Sequence, residues 1–465
     1  MMSNNKRIAK NTMFLYIRMG ISMLVGLYTS RIVLQALGVE DYGIYNVVGS
    51  FIVAFTFISG PLGTATQRFL NFELGKGESG RLNKVFNLSL YTYVVLAVIL
   101  FFVIEVAGIW FLKNKMQLPA ERMNAAAFAF HMSVLTLLLN LIKTPFESLI
   151  IAYEKMSFYA YISIADVFLK LLNAFMLLYV AVDKLKLFSI NILVITLIVG
   201  CVTAFYCVRN FKKVRIENPR ENWDFPLFKE LMSFSGWSLF GSVASMTANQ
   251  GLNILLNLFF GVVVNAAMGI ANQVNAAVVQ FVSNFQVAFR PQLVKYYAQG
   301  NIDALKSLII NTSKYSYLLL FAVVCPVCFN IDLLLKLWLK NPPEYAAEFC
   351  IMMLIYALLE TLSAPMWMTV QATGKIKRYQ IVISCVMSLN IVFSYFFLRA
   401  GFAPVAVLAI KCCMDVFYLL VRLIFMKIKI DFSISAFASS RFNVGSVPVN
   451  TKVFPANLSS TCALT

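Results

Sequence analysis

The sequence predicts an all-α polytopic membrane protein, with about twelve transmembrane helices in two parallel six-helix repeats. Three observations predict it. Of the 465 residues, 60% are apolar and 13% charged, against roughly 25% charged in soluble domains. The apolar residues form continuous runs, each close to the roughly 20 residues a helix needs to cross a bilayer. Basic residues gather at alternate ends of those runs, the positive-inside pattern. An outer-membrane barrel is excluded, because its strands alternate over about ten residues instead of running apolar throughout.

Taken in order, the runs place spans at 11–37, 44–67, 85–112, 123–150, 159–182, 187–208, 231–259, 264–289, 313–338, 346–371, 378–399 and 402–426. The polar, basic start MMSNNKRIAK precedes a run too long for a signal-peptide core, so the first span is expected to persist. With the N-terminus inside, the inner segments hold 24 of the 39 basic residues and the outer segments eight. Both termini are therefore expected on the cytoplasmic side of a bacterial inner membrane. The formal charge of +18 is then topology and contact with anionic lipid. Spread over seven short inner segments, it makes no nucleic-acid face.

The longest inner connection, 209–230, separates an N-terminal six-helix lobe (1–208) from a C-terminal one (231–430); residues 431–465 read as a polar cytoplasmic tail, expected to be disordered. A weak repeat joins the lobes. Leu37-Gly38 followed by Gly43-Ile44-Tyr45-Asn46 matches Phe260-Gly261 followed by Gly269-Ile270-Ala271-Asn272, and Gln67-Arg68-Phe69 matches Phe289-Arg290-Pro291. Because the offset covers six helices, an even number, the copies are parallel and a substrate would sit between them.

Helical spacing sets Ser235, Ser238, Ser242, Ser245, Asn249 and Asn253 on one face of span 7. Span 8 repeats this with Asn265, Asn272, Asn275, Ser283, Gln286 and Arg290; span 2 offers Asn46, Gly49, Gly60, Thr64 and Gln67; span 1 offers Arg18, Ser22 and Thr29. Close helix packing explains any one such residue. Four stripes at equivalent places in two repeats point to a shared wet cavity.

Charges within spans cost roughly 2.5 to 3.5 kcal/mol at the bilayer centre, so each asks for a partner or a purpose. Lys143 and Glu147, Asp166 and Lys170, and Lys411 and Asp415 are spaced i,i+4 and are expected to neutralise one another. An ion relay through Asp166, Glu147 or Asp415 is the other reading. Arg18 has no such partner in its helix, whereas Arg31 is expected to meet Glu40 or Asp41; snorkelling to lipid phosphate is the alternative for both.

The lone histidine, His131, reads as structural, and no Cys/His cluster suggests a metal or cofactor. The nine cysteines lie mostly in apolar runs, and Cys325-Pro326-Val327-Cys328 lacks the strand-to-helix setting of a redox motif. Gly75, Gly77 and Gly80 spell G-x-G-x-x-G without a βαβ unit, so the match is read as chance.

The stretches LQALGVEDYGIYNVVGSF (34–51), QRFLNFELGKGE and SFSGWSLFGSVASMTANQ resemble the polysaccharide-transporter branch of the MOP flippase superfamily, the Wzx-like O-antigen and lipopolysaccharide flippases. That resemblance implies two six-helix bundles around a V-shaped cavity lined by helices 1, 2, 7 and 8. It also implies translocation of an undecaprenyl-diphosphate-linked oligosaccharide for O-antigen, capsule or exopolysaccharide synthesis, alongside a glycan polymerase and a chain-length regulator. Arg18, Arg290 and Arg68 would hold the diphosphate, guanidinium forks suiting phosphate oxygens. Asn46, Ser242, Asn249, Asn272 and Gln286 would bond sugar hydroxyls. The alternative is a MATE-like ion-coupled exporter of small molecules, which would place unpaired carboxylates where span 1 has arginine. A membrane glycosyltransferase or polymerase would need a large catalytic outer loop, and the outer loops are about a dozen residues or shorter, so no enzyme is expected.

Overall fold

The fold comes from a computed structural model that describes residues 4–53, 55–77, 81–114, 120–218, 223–339, 342–433 and 437. The described residues are helical almost throughout: α1 Asn4–Val53, α2 Ser59–Gly75, α3 Leu82–Asn114, α4 Met123–Ala152, α5 Met156–Tyr179, α6 Lys184–Asn210, α7 Phe225–Ala298, α8 Ile302–Phe329, α9 Ile331–Leu339, α10 Ala346–Ala372, α11 Lys377–Arg399 and α12 Val405–Ile430. Eight helical stretches are long and apolar enough to cross a membrane, which makes this a multi-pass membrane protein. The other expected spans are helical too, but they carry the polar stripes or, in α12, the three charges Lys411, Asp415 and Arg422.

Two glycines turn long helices into pairs of spans. Gly38 (φ 78°, ψ 171°) breaks α1, and Gly261 (φ 76°, ψ −163°) breaks α7. Both sit in a backbone region essentially reserved for glycine. The repeat extends beyond the kinks: left-handed φ recurs at Gly77 (71°) and Gly300 (70°), and at Glu154 (57°) and Gly374 (77°). Pro145 in α4 and Pro365 in α10 also correspond. The two halves are parallel copies, as the sequence predicts.

Local chemistry starts and stops the helices. Asp224 accepts from the Leu227 N–H at 3.0 Å and Asn301 from the Ala304 N–H at 3.1 Å, capping α7 and α8. The expected linker 209–230 is therefore shorter, because α6 runs to Asn210 and α7 starts at Phe225. Asn83 and Asn87 hold its backbone at Arg215 and Glu217. The ninth span, expected at 313–338, is displaced: α8 starts at the Asn301 cap and ends at Phe329, and α9 is separate. Span 2 is not one helix either, since a single 3₁₀ turn, Thr56–Ile58, stands between α1 and α2. Of the expected tail, Phe432 and Phe437 are buried; residues 434–436 and 438–465 lie outside the described residues.

Three cores give the molecule its shape. At the basic end, Phe69, Phe86 and Leu149 of the first half pack in one cluster with Phe234, Phe289 and Met366 of the second. Toward the other end the core divides. Val48, Tyr93, Ile104 and Phe130 belong to a cluster of the first half alone, and Leu252, Met268, Phe349 and Met353 to one of the second half. The bundle is a V, joined at its basic end. Far from the join, Arg122 donates to Asp41 (Nε to Oδ1, 2.8 Å) and to Asp183 (Nη1 to Oδ2, 3.2 Å), tying α1, α4 and the start of α6. Asp41 first, then Asp183, favours the charged guanidinium and raises its pKa above the usual arginine value.

Candidate functional site

Arg18 lies at the floor of the V. Its Nη2 donates across to Asn284 Oδ1 at 3.1 Å, and its guanidinium carbon sits 5.0 Å from the centre of the Tyr159 ring. Two residues earlier, the Tyr16 ring approaches Phe281 of the other half, centre to centre 6.2 Å. No carboxylate lies within ion-pair distance of Arg18 among the described residues, and its buried Nε has no hydrogen-bond partner. Asn284 and Tyr159 are the residues that sequence reasoning missed. Asn284 falls off the polar stripe of its helix, and nothing along the chain links Tyr159 to Arg18.

Arg68 and Arg290 lie deeper, within the join. Both line one cavity of about 10 Å³ together with Thr64, Asn71, Met368 and Gln371, enough for about one water and too small for a phosphate. Arg68 is nearly fully buried: Nε and Nη2 donate to the Ala372 carbonyl at 3.3 and 3.2 Å, Nη1 is 3.8 Å from Glu230, and Phe69 and Phe72 lie against the guanidinium. Arg290 donates to Gln371 Oε1 at 3.1 Å and sits 5.3 Å from the Trp367 ring. The two repeat-related arginines are thus together, but in the closed part of the molecule.

The span 7 stripe divides. Ser235 and Ser238 are buried, whereas Ser242 and Asn249 are exposed. Ser242 Oγ donates to the Ser238 carbonyl at 3.1 Å, and Asn249 Nδ2 to the Ser245 carbonyl at 3.0 Å. Asn272 and Gln286 are half-buried on the second arm of α7. Asn46 lies in the second arm of α1, with its side chain outside the described residues.

Two of the three expected charge pairs form: Lys143 Nζ to Glu147 Oε1 at 3.1 Å and Lys170 Nζ to Asp166 Oδ2 at 2.7 Å. The third does not. Lys411 Nζ instead donates to Asn249 Oδ1 at 3.0 Å and lies 4.4 Å from the Tyr356 ring centre, leaving buried Asp415 with no hydrogen-bond partner on Oδ2. A partner from another helix has displaced the i,i+4 contact. Arg422, inside the expected span 402–426, is buried and donates to Tyr379 Oη (3.1 Å) and Ser363 Oγ. Nor does Arg31 pair as expected: Asp41 is taken by Arg122, and no ion pair joins Arg31 to Glu40 or Asp41 among the described residues. His131 Nδ1 lies 2.8 Å from Glu105 Oε2, a carboxylate inside span 3 that the charge survey passed over. Gly75, the first of the three spaced glycines, is a packing contact, since a Cβ there would come within 2.7 Å of Ala298 Cβ; Gly80 lies outside the described residues.

A family model, MatE, matches residues 238–396, from the first arm of α7 to near the end of α11. No curated protein matches the chain. Solved structures match nearly all of it. They include an outward-facing multidrug-resistance MATE transporter of the MOP superfamily (15% identity, 94% of this chain, 97% of that one, TM-score 0.77) and a MATE protein in its straight conformation (14%, 94% and 98%, 0.76). A MOP-superfamily transporter from Pyrococcus furiosus, described as having a binding pocket of reverse polarity, matches equally well (14%, 94% and 97%, 0.76). The fold is that of the MATE transporters.

Proposed function

We propose that the chain is a membrane transporter working by alternating access, with lobes 1–208 and 231–430 moving about the join, and that its cargo is anionic. The observation that carries this reading is Arg18: a guanidinium at the floor of the V with, among the described residues, no carboxylate at ion-pair distance and no partner on its Nε. An unneutralised cation at membrane depth asks for an anion. The cargo that fits is an undecaprenyl-diphosphate-linked oligosaccharide, passed from the inner to the outer leaflet of a bacterial inner membrane in which both termini are cytoplasmic. On opening at the basic end, Arg68 and Arg290 would meet the diphosphate first and Arg18 would receive it next. Asn46, Ser242, Asn249, Asn272 and Gln286 would bond sugar hydroxyls, while the prenyl tail stays in lipid. Two negative charges moving outward gain roughly 4 to 5 kcal/mol per 100 mV of inside-negative potential. The released cargo would pass to a glycan polymerase and a chain-length regulator.

A second reading, the MATE-like ion-coupled exporter of small molecules, has the better support from the comparisons, through the MatE match and the multidrug transporter of the same fold. Its coupling carboxylates would be Glu147, Asp166 or Asp415, of which Asp415 alone lacks a lysine on its carboxylate.

One experiment separates the two. The chain is expressed in strains lacking individual glycan exporters and in a strain lacking its drug exporters, as wild type, Arg18→Ala and Arg290→Ala. Restored surface glycan that both substitutions abolish at normal membrane abundance supports the anionic cargo. Drug resistance without glycan display overturns it in favour of the exporter.

A further inference from the structure

Span 2 is interrupted on the first-half side of the V. After Val53 ends α1, the Phe55 N–H bonds to the Ile52 carbonyl at 3.0 Å and the Ile58 N–H to the Phe55 carbonyl at 3.4 Å, an i→i−3 pattern, before α2 resumes at Ser59. The repeat-equivalent stretch, about 276–280, runs through unbroken helix in α7. The turn keeps right-handed helical backbone at both ends (Phe55 φ −93°, ψ −8°; Ser59 φ −69°, ψ −36°), so it tightens and redirects the span without unwinding it, and 3₁₀ turns within helices often mark functional hinges.

A cavity lies beside the turn. A partly enclosed space of about 250 Å³ is walled by Phe55, Thr56 and Ser59 at the break and by Asn140, Lys143 and Glu147 on α4. At roughly 30 Å³ per water this is room for about eight waters, far more than a bare cation fills. Glu147 is in any case already neutralised by Lys143 at 3.1 Å, which leaves little pull on a metal ion. The lining suits a sugar ring, which has apolar C–H faces and a hydroxyl rim: Phe55, Leu100 and Leu137 offer apolar surface, and the polar groups are the Asn140 amide, the Lys143 ammonium, the Glu147 carboxylate and the Ser59 oxygen, whose own proton goes to the Thr56 carbonyl at 2.7 Å. It also lies beside the floor, because Tyr159, which carries the Arg18 guanidinium, is within electrostatic reach of Lys143 and Glu147 as well. The geometry points to a docking pocket for a single sugar residue of the cargo, next to the cation that would hold its phosphates. This rests on the reading of the cargo as a phosphate-linked glycan.

The test uses full-length protein in lipid nanodiscs with methyl glycosides of glucose, galactose and N-acetylglucosamine as probes, read by saturation-transfer NMR, alongside glycan display in cells. The expected result is transfer to at least one glycoside in wild type, reduced threefold or more in Asn140→Ala and Glu147→Gln and unchanged in Lys336→Ala, exposed on α9 of the other half. If Glu147→Gln fails to fold, Thr56→Ala takes its place. No transfer in wild type, or equal transfer in the pocket variants, overturns the pocket whatever the cells display. Transfer as expected in a chain that displays no glycan in any strain upholds a sugar-binding pocket and overturns the reading of the cargo as a lipid-linked glycan instead.

Discussion

Lys295 donates to Glu154 at 2.8 Å across the two halves, with the Glu154 side chain only 2% exposed. Gln292 adds a longer bond of 3.4 Å to the same carboxylate. A second contact joins the corresponding elements in the other direction, at different positions. Lys295 ends the second span of its half and Glu154 lies in the turn after the fourth span of the other; Arg68, near the end of the second span of the first half, docks on Ala372 at the end of α10 and on Gly374 in the turn after it. Two clasps thus close the basic end.

Glu154→Gln removes the charge at constant shape and should loosen that closure. Stranding one partner of a buried pair costs about 3 to 5 kcal/mol. Lys295 is 22% exposed, so about 2 kcal/mol, or roughly 30-fold toward the form open at the basic end, is expected. In a cysteine-depleted background, Asn71→Cys, fully buried in the join, should then label faster with a water-borne maleimide. An unchanged labelling rate would contradict the clasp.

Gly38→Ala and Gly261→Ala isolate backbone strain, because among the described residues no atom beyond the adjoining chain lies within 4 Å of a Cβ built at either position. Each should cost about 1 to 3 kcal/mol from conformation alone, visible as a lowered thermal midpoint. Near-neutral behaviour at both would mean that the kinks relax without the left-handed glycine.

Arg122→Gln leaves Asp41 and Asp183 facing one another without their shared cation. Its partners are partly exposed (15% and 29%), so the loss should be about 1 kcal/mol. Asp41→Asn in the same chain should recover part of it, and a thermal double-mutant cycle with no coupling would show that the cluster contributes nothing.

Asn249→Ala removes the acceptor of the buried Lys411 ammonium, 3.0 Å away, and should cost the second half about 1 to 3 kcal/mol. Lys411→Met combined with Asn249→Ala should be milder than Asn249→Ala alone, since no buried ammonium is then left without its acceptor. Equal midpoints for the single and double variants would mean that this hydrogen bond contributes nothing.

The helices, their kinks and the duplication are legible along the chain. Apolar length sets a span, a glycine between two spans sets the kink, and the spacing from Gly38 to Gly261 and from Arg68 to Arg290 returns as matching backbone geometry. These are properties of neighbouring residues, or of one stretch compared with another. The polar stripes were legible in part: Ser242 and Asn249 are exposed as the wheel suggests, but Ser235 and Ser238 on the same face are buried.

What only the tertiary structure decided is partnership and depth. The spacing of Lys411 and Asp415 suits a pair, yet Asn249, 162 positions away, takes the lysine. Arg68 and Arg290 match Arg18 in chemistry, yet they lie inside the join while Arg18 lies at the floor of the V. The cavity at the break in span 2 needs α4 beside it before it exists. Periodicity along one helix says which residues share a face. Which helix covers that face is settled by packing between segments far apart in sequence, and a side chain in a low-dielectric interior goes to whatever partner that packing brings within reach.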